Sequence, residues 1–160
     1  MSVSGRCRRV VVALVLAQAA GWACAVMSDD GDDQALLADA DYTAGRAALK
    51  GGDAGAALPR FQAALKRFPE AADLHNELGF AYRRQRQLDK AFEHYQRALS
   101  INPRHRGAHE YIGEAYLMAG DVASAEKHLA ELRSICLLSC EELQDLRKAI
   151  EAHKATTARR

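Results

Sequence analysis

Aromatic residues and excess charge are both scarce in this 160-residue chain. Phe, Trp and Tyr make up 6% of the sequence, whereas 49% of it is hydrophobic. Few aromatic residues together with abundant alanine favour closely packed helices over a β-sandwich. The formal net charge is only +1, so the composition gives no reason to expect nucleic acid as a partner. The length suggests a single domain.

The chain also lacks the short motifs that accompany common enzyme chemistries. It contains no G-x-x-x-x-G-K-[ST], G-x-G-x-x-G, G-x-S-x-G or H-E-x-x-H. His105 and His109 are four residues apart, a spacing that can place two metal ligands on one helix face. However, His75 and His94 recur 34 residues later as His109 and His128, which indicates a repeated structural environment. We therefore predict no enzyme, no metal site and no cofactor.

The N-terminus has the three parts of a secretory signal peptide. The arginines of "RCRR" precede the apolar run Val10–Ala23, and "ACA" ends at Ala25 with the small-x-small pattern of a cleavage site. The run is too short for a comfortable membrane span. An uncleaved anchor is the alternative; a lipoprotein is disfavoured because Gly21, not an aliphatic residue, stands three positions before Cys24. We predict a signal peptide over 1–25.

Cleavage defines the exported chain. It removes three of the 22 basic residues and leaves 19 against 21 acidic residues, a net charge of −2. We expect a periplasmic protein with no membrane attachment after cleavage. The stretch 26–35 is rich in Asp and is predicted to be a disordered acidic linker.

Cleavage also leaves only Cys136 and Cys140, four residues apart. A lone pair in an exported chain is typical of one disulfide. Zinc normally takes four ligands, and redox motifs are usually C-x-x-C. A bridge between Cys136 and Cys140 is the prediction, with free structural thiols and a redox or metal role as the alternatives.

The sequence repeats with a period of 34 residues. The recurring positions hold glycine, alanine, a large apolar residue or proline: Gly45, Gly79 and Gly113; Ala57, Ala91 and Ala125; Phe61, Tyr95 and Leu129; Ala64, Ala98 and Leu132; Pro69 and Pro103. Small residues let neighbouring helices approach, large apolar residues fill the space around that contact, and proline ends the second helix of each unit.

The unit "ADLHNELGFAYRRQRQLDKAFEHYQRALSINP", Ala72–Pro103, closely resembles the tetratricopeptide repeat. The residues that carry the resemblance are Leu78, Gly79, Tyr82, Ala91, Tyr95, Ala98 and Pro103. The third unit matches well and the first more weakly. The resemblance implies an all-α protein folded as a right-handed α-α superhelix of about three helix pairs. The signal type and the Ala/Arg-rich composition indicate a small secreted bacterial member of the family.

We expect the repeat domain over 36–153. Its units are predicted at 38–71, 72–105 and 106–139, with helices at 36–50, 54–67, 72–85, 89–101, 106–118 and 122–135. Asp53 and Asp121 are expected to cap second helices after Gly-Asp turns, whereas Arg86 and Gln87 specify the middle turn less well. Pro59 inside a helix predicts that the first unit is the least stable.

The region 139–153 is predicted to be a C-terminal capping helix. Leu143, Leu146 and Ile150 form one apolar stripe in the register of a further first helix. Solenoid ends expose an apolar face that needs such a cap. Ser139 and Glu142 have the spacing of a capping box. Residues 154–160 are predicted to be a disordered tail.

In tetratricopeptide arrays the first helices line a concave groove, so the resemblance implies a protein or peptide partner. The groove residues that it projects onto this chain are Tyr42, Arg46, Asn76, Phe80, Arg83, Tyr111 and Glu114. The aromatic members are expected to anchor apolar groups, and the arginines to bind a carboxylate. The family's carboxylate clamp is largely absent, with Glu77 at one of its positions, so no EEVD-type tail is expected as the ligand.

The sequence thus predicts a non-catalytic interaction scaffold in the periplasm. Two other functions stay open at this point. One is a thiol-disulfide redox protein that uses Cys136 and Cys140, and the other is a self-assembling homo-oligomer of stacked arrays.

Overall fold

A computed structural model describes residues 30–159, and the predicted signal peptide lies outside them. Within this range the chain forms eight helices and no strand: α1 Asp30–Ala38, α2 Ala40–Lys50, α3 Ala54–Leu65, α4 Ala72–Arg84, α5 Leu88–Ile101, α6 Arg106–Met118, α7 Val122–Ile135 and α8 Glu141–Thr157. No helix in the described part is long and apolar enough to span a membrane.

The helices pair as the 34-residue period predicts. Helix α2 packs on α3, α4 on α5, and α6 on α7, and each pair stacks on the next through α3 with α4 and α5 with α6. The last helix, α8, packs on both α6 and α7. The predictions of an all-α class and of a helical solenoid with an added C-terminal helix are confirmed.

Glycines in the first helices determine how closely the second helices approach. A Cβ atom added to Gly79 would lie 2.6 Å from Tyr95 of α5, and one added to Gly45 would lie 2.5 Å from Phe61 of α3. In the third unit the neighbour of Gly113 is Leu146 of α8, at 2.7 Å. The capping helix therefore occupies the position that an aromatic ring occupies in the first two units.

The N-terminal part differs from the prediction of a disordered linker and one helix over 36–50. Residues 30–38 form α1, and the chain turns at Asp39, whose Oδ1 accepts hydrogen bonds from the backbone N–H groups of Asp41 and Tyr42, both at 3.0 Å. Arg67 donates to both Asp39 and Asp41 at 2.8 Å. Leu36 is only 1% exposed, and its burial gives this acidic segment an apolar contact that holds it against the array.

The turns inside the three units share one backbone geometry. Gly52 and Gly120 have φ of 83° and 82°, and Arg86 takes the same position with φ of 60°. Asp53 and Asp121 cap the following helices as predicted, accepting from backbone N–H groups at 2.8 and 2.9 Å, whereas Gln87 makes no capping hydrogen bond. The middle unit thus keeps the turn without the residues that favour it.

Restoring those residues should stabilise the protein. The double variant Arg86→Gly with Gln87→Asp is expected to raise the free energy of unfolding by about 1–2 kcal/mol, because glycine tolerates positive φ and aspartate caps α5. Urea denaturation measures the change. Gln85→Asp alone is the control and should give no such gain, because position 85 does not cap α5. A double variant no more stable than the parent would contradict this account of the turn.

The structure contains the predicted bridge between Cys136 and Cys140, whose Cα atoms are 5.9 Å apart. The capping box is wrong, however. Cys140 is the residue before α8, and the Ser139 hydroxyl accepts a hydrogen bond from Gln144 Nε2 at 2.9 Å. Cys140, in extended backbone, takes the position before the helix that the predicted capping box assigns to Ser139.

The end of the chain is more helical than predicted. Helix α8 continues to Thr157, so residues 154–157, assigned to a disordered tail, are helical. Leu146 and Ile150 are buried, at 0% and 3% exposure, as the apolar stripe indicates. Helix α3 likewise runs through the exposed Pro59 without a break, and the lower stability of the first unit stays a prediction.

Candidate functional site

The first helices of successive units contact one another, α2 with α4, α4 with α6 and α6 with α8, and they form the inner face of the array. A groove of about 470 Å³ lies on this face. It is lined by Thr43, Arg46, Ala47, Leu49, Lys50, Glu77, Phe80 and Tyr111. The groove thus combines two aromatic rings with two cationic side chains.

Phe80 and Tyr111 form an aromatic platform at the centre of this face. Their ring centroids are 5.0 Å apart, and the Arg83 guanidinium lies over both rings, at 5.2 and 5.4 Å. Arg83 also forms an ion pair with the Glu114 carboxylate, and its side chain is only 12% exposed. Arg83 therefore holds the platform in place and is not free to bind a partner's carboxylate as the sequence suggests.

The two cationic side chains of the groove differ in how free they are to bind a ligand. Arg46 is 54% exposed, and its Nε lies 3.5 Å from Glu77 Oε1. Burial raises the pKa of Glu77, and the Arg46 charge opposes that rise. Lys50 has no ion-pair partner within the described residues. Lys50 and, in part, Arg46 are the groups that can attract an anionic ligand.

Three of the seven predicted groove residues, Arg46, Phe80 and Tyr111, line the groove, whereas Tyr42 lies in the core. Its side chain is 2% exposed and packs on Phe61, with ring centroids 6.0 Å apart. Tyr42 therefore belongs to the core, and its prediction as an exposed anchor is not supported. The equivalent positions one and two units later hold Asn76, which is 8% exposed, and the half-buried Glu110. Burial at this register therefore differs from unit to unit.

Helix α8 contributes to the inner face, which was not predicted from the sequence. The helix was predicted only as a cap, yet Glu141, Glu142 and Asp145 line a second pocket beside Tyr111. The 34-residue register carried the signal, because Asp145 follows Glu77 and Tyr111 at that spacing. A capping helix in register with first helices extends their surface as well as covering the core.

One histidine pair joins the two helices of the second unit, and an equivalent pair joins the two helices of the third unit. His75 Nδ1 is 3.1 Å from His94 Nδ1, and His75 Nε2 is 3.0 Å from the carbonyl oxygen of Pro69. His109 and His128 repeat the arrangement at 3.0 Å, with the carbonyl of Pro103 at 3.0 Å. The histidine that donates Nε2–H to a carbonyl accepts at Nδ1 when neutral, so one Nδ1–H satisfies each pair. The pairs are structural, and their shared 19-residue separation was the signal in the sequence.

These pairs should make stability depend on pH. Burial lowers the pKa of His75 and His94 and lowers the pKa of His128 to about 4. An unfolded histidine has a pKa of about 6.5, so below that pH the unfolded state binds more protons. The contribution of the histidine pairs to the free energy of unfolding should therefore fall as the pH decreases from about 6.5 toward 4.

Urea midpoints at pH 7.5, 6 and 5 measure this dependence. His128→Gln should weaken the dependence, whereas His153→Gln, which lies outside both pairs, should preserve it. Equal slopes for the parent and His128→Gln would contradict the assignment.

His105, which is four residues from His109 and was weighed as a metal ligand, caps α6. His105 Nδ1 accepts from the backbone N–H of Ala108 at 3.1 Å, and its Nε2 lies 2.9 Å from Asp73 Oδ1. Over residues 30–159, no group of three or more Asp, Glu, His or Cys side chains is arranged to hold a metal ion.

Comparisons with known proteins agree with this architecture. One tetratricopeptide repeat family model matches residues 42–105, and a second matches residues 83–150. The search of curated proteins gives no match.

Several solved structures are similar. MamA from Desulfovibrio magneticus RS-1 is 27% identical with a TM-score of 0.57; the match covers 59% of this chain and about half, 54%, of that one. The type III secretion translocator chaperone SycD of Yersinia enterocolitica, solved as an alternative dimer, is 21% identical with a TM-score of 0.66, covering 82% and 98%. The first repeat domain of Spaghetti (RPAP3), bound to the HSP90 peptide SRMEEVD, is 20% identical with a TM-score of 0.60, covering 68% and 88%.

Proposed function

The chain belongs to the tetratricopeptide repeat family, and from that premise we propose that it is a non-catalytic scaffold that binds a peptide segment of a partner protein in the groove. Two proteins of similar fold support the general role, since the first domain of Spaghetti holds a peptide and SycD is a chaperone. The proposed site of action is the bacterial periplasm, which rests on the signal-peptide pattern of residues 1–25.

The observation that carries the proposal is the platform of Phe80 and Tyr111 inside the groove. Both rings are half-buried, so each presents an apolar face next to water. Lys50 and Arg46 stand at the same groove and supply positive charge. Aromatic anchors in a concave site with a few charged groups are the features that recognise an extended segment or a partner helix.

Photocrosslinking from defined positions tests the groove. p-Benzoylphenylalanine placed at the exposed Thr43 is expected to crosslink a partner in the envelope fraction, whereas the same residue at the exposed Lys127 of α7 is not. Adding Arg46→Glu with Phe80→Ala to the Thr43 protein should abolish the crosslink. Circular dichroism verifies that the variant stays folded.

Two crosslinking results would contradict the groove proposal. A crosslink from Lys127 alone, or one that survives the double variant, would place binding elsewhere. Light scattering tests self-association, which stays a prediction; a crosslink to a second copy of the chain would identify the groove as the surface used for it.

A further inference from the structure

A second pocket adjoins the groove where the N-terminal halves of α4, α6 and α8 meet. Its volume is about 270 Å³. The residues that matter here are Asn76, Glu110, Tyr111, Glu141, Glu142 and Asp145, and we call it the acidic pocket. Tyr111 lines both the groove and the acidic pocket, so a ligand in one can extend into the other.

The acidic pocket has an excess of negative charge. Four carboxylates line it, and the cations that pair with them stand outside it: Arg106 lies 3.6 Å from Glu142, and Lys148 lies 3.1 Å from Asp145. Both cations are largely exposed, so solvent weakens their pairing. Glu110 is half-buried and has no ion-pair partner within the described residues.

Burial and repulsion between the carboxylates destabilise the charged form of Glu110. Burial, together with the carboxylates of Glu114, Asp145 and Glu142, raises the pKa of Glu110 to about 7, and the Arg83 charge opposes only part of that rise. A positive charge placed in the acidic pocket would remove the cost that the carboxylates impose on one another.

Asn76 gives an independent indication of a ligand. Its side chain is 8% exposed, and its Oδ1 is buried without a hydrogen-bond partner within residues 30–159. A buried acceptor without a donor costs free energy, and such groups are rare in folded proteins. The acidic pocket therefore combines four carboxylates with an amide oxygen that has no hydrogen-bond partner within the described residues.

We propose that the acidic pocket binds the guanidinium group of an arginine in the peptide that occupies the groove. A guanidinium has five N–H donors and a permanent charge, so it can satisfy Asn76 Oδ1 and pair with carboxylates simultaneously. Tyr111 adds a ring face against which a planar cation packs favourably. A metal ion is a poorer occupant, because no group of three metal-ligating side chains in the described part has suitable geometry.

This inference rests on the proposed function and makes the partner's chemistry more specific. The groove carries Arg46 and Lys50 at one end, and the acidic pocket carries carboxylates at the other. The matching segment has an acidic group for the first end and an arginine for the second. Because the charged form of Glu110 is the one that binds a cation, affinity should increase as the pH rises from 6 to 8.

The test uses the full chain, labelled with ¹⁵N, and the peptide acetyl-Gly-Arg-Gly-amide. The peptide is expected to shift the side-chain amide of Asn76 and the backbone amides of Gly107 and Glu110 in a saturable manner. The same peptide with Glu in place of Arg should not. Glu110→Gln with Asp145→Asn should weaken binding about tenfold, whereas Glu151→Gln, an exposed carboxylate on α8 outside the pocket, should leave it unchanged.

Three results would overturn the proposal. The first is that the arginine peptide shifts no amide of the acidic pocket. The second is that the double variant and the Glu151→Gln control bind the peptide equally well. The third is that calcium chloride at micromolar concentration shifts the same amides in a saturable manner. The groove proposal is read separately, from the Thr43 crosslink. If the arginine peptide does not bind but the Thr43 crosslink is retained, only this inference is refuted. If only the crosslink is lost, only the groove proposal is refuted.

Discussion

Leu146→Ala is expected to lower the free energy of unfolding by about 3 kcal/mol, the usual cost of truncating a buried leucine. Leu146 is fully buried, and its side chain lies where a Cβ on Gly113 would be, within 2.7 Å. Helix α8 packs on both α6 and α7, so its backbone is held by contacts with two neighbouring helices. The truncation therefore leaves a cavity between α6 and α8.

Leu138→Ala is the matched control. The chemical change is identical, but Leu138 is 97% exposed, so its removal should leave stability unchanged. Urea denaturation of both variants, followed by circular dichroism, gives the comparison. If the two variants were equally stable, α8 would not be packed on the array as the structure has it.

Gly79→Ala is expected to lower the free energy of unfolding by about 2 kcal/mol, although alanine is the better helix former. The added methyl would lie 2.6 Å from the Tyr95 ring, closer than carbon atoms approach one another. Tyr95 is fully buried, so its ring cannot move aside without displacing α5. The substitution therefore separates the two helices of the middle unit, which packs against both other units.

Gly107→Ala serves as the control for helix propensity. Its added methyl would make ordinary contacts, the nearest at 3.4 Å to Asn76 Nδ2, so stability should be unchanged or raised by up to about 1 kcal/mol. Thermal and urea unfolding measure the change in unfolding free energy relative to the parent, which should differ in sign or in size between the two variants. Gly79→Ala as stable as Gly107→Ala would show that the close approach at Tyr95 is not required.

The period of 34 residues was sufficient to predict the fold because it encodes the contacts between the two helices of each unit. Each small residue and its large partner recur together, so the pairing of α4 with α5 can be transferred to the other units. Short-range features were less predictable. The acidic segment that carries the buried Leu36 is helical, and Cys140, not Ser139, directly precedes α8. Neither feature follows from local sequence preference.

The groove was predictable only in part, for a related reason. The register identifies the helix face, but pairing across that face decides what is free. Arg83 is occupied by Glu114 and two rings, and Tyr42 is covered by Phe61, contacts that join residues 19 and 31 positions apart in the chain. The acidic pocket needed three helices from different units, and no single unit of the sequence contains it.

The carbonyls of Pro69 and Pro103 each contact a histidine of the following unit, so the two junctions between units share one contact. Pro69 closes the first unit and meets His75 of the second, and Pro103 closes the second and meets His109 of the third, both at 3.0 Å. The junctions at the two ends of the middle unit are therefore interchangeable. A duplicate of residues 72–105 spliced in after position 105 would find compatible neighbours on either side, and so the molecule can be lengthened by whole units without redesign of its ends.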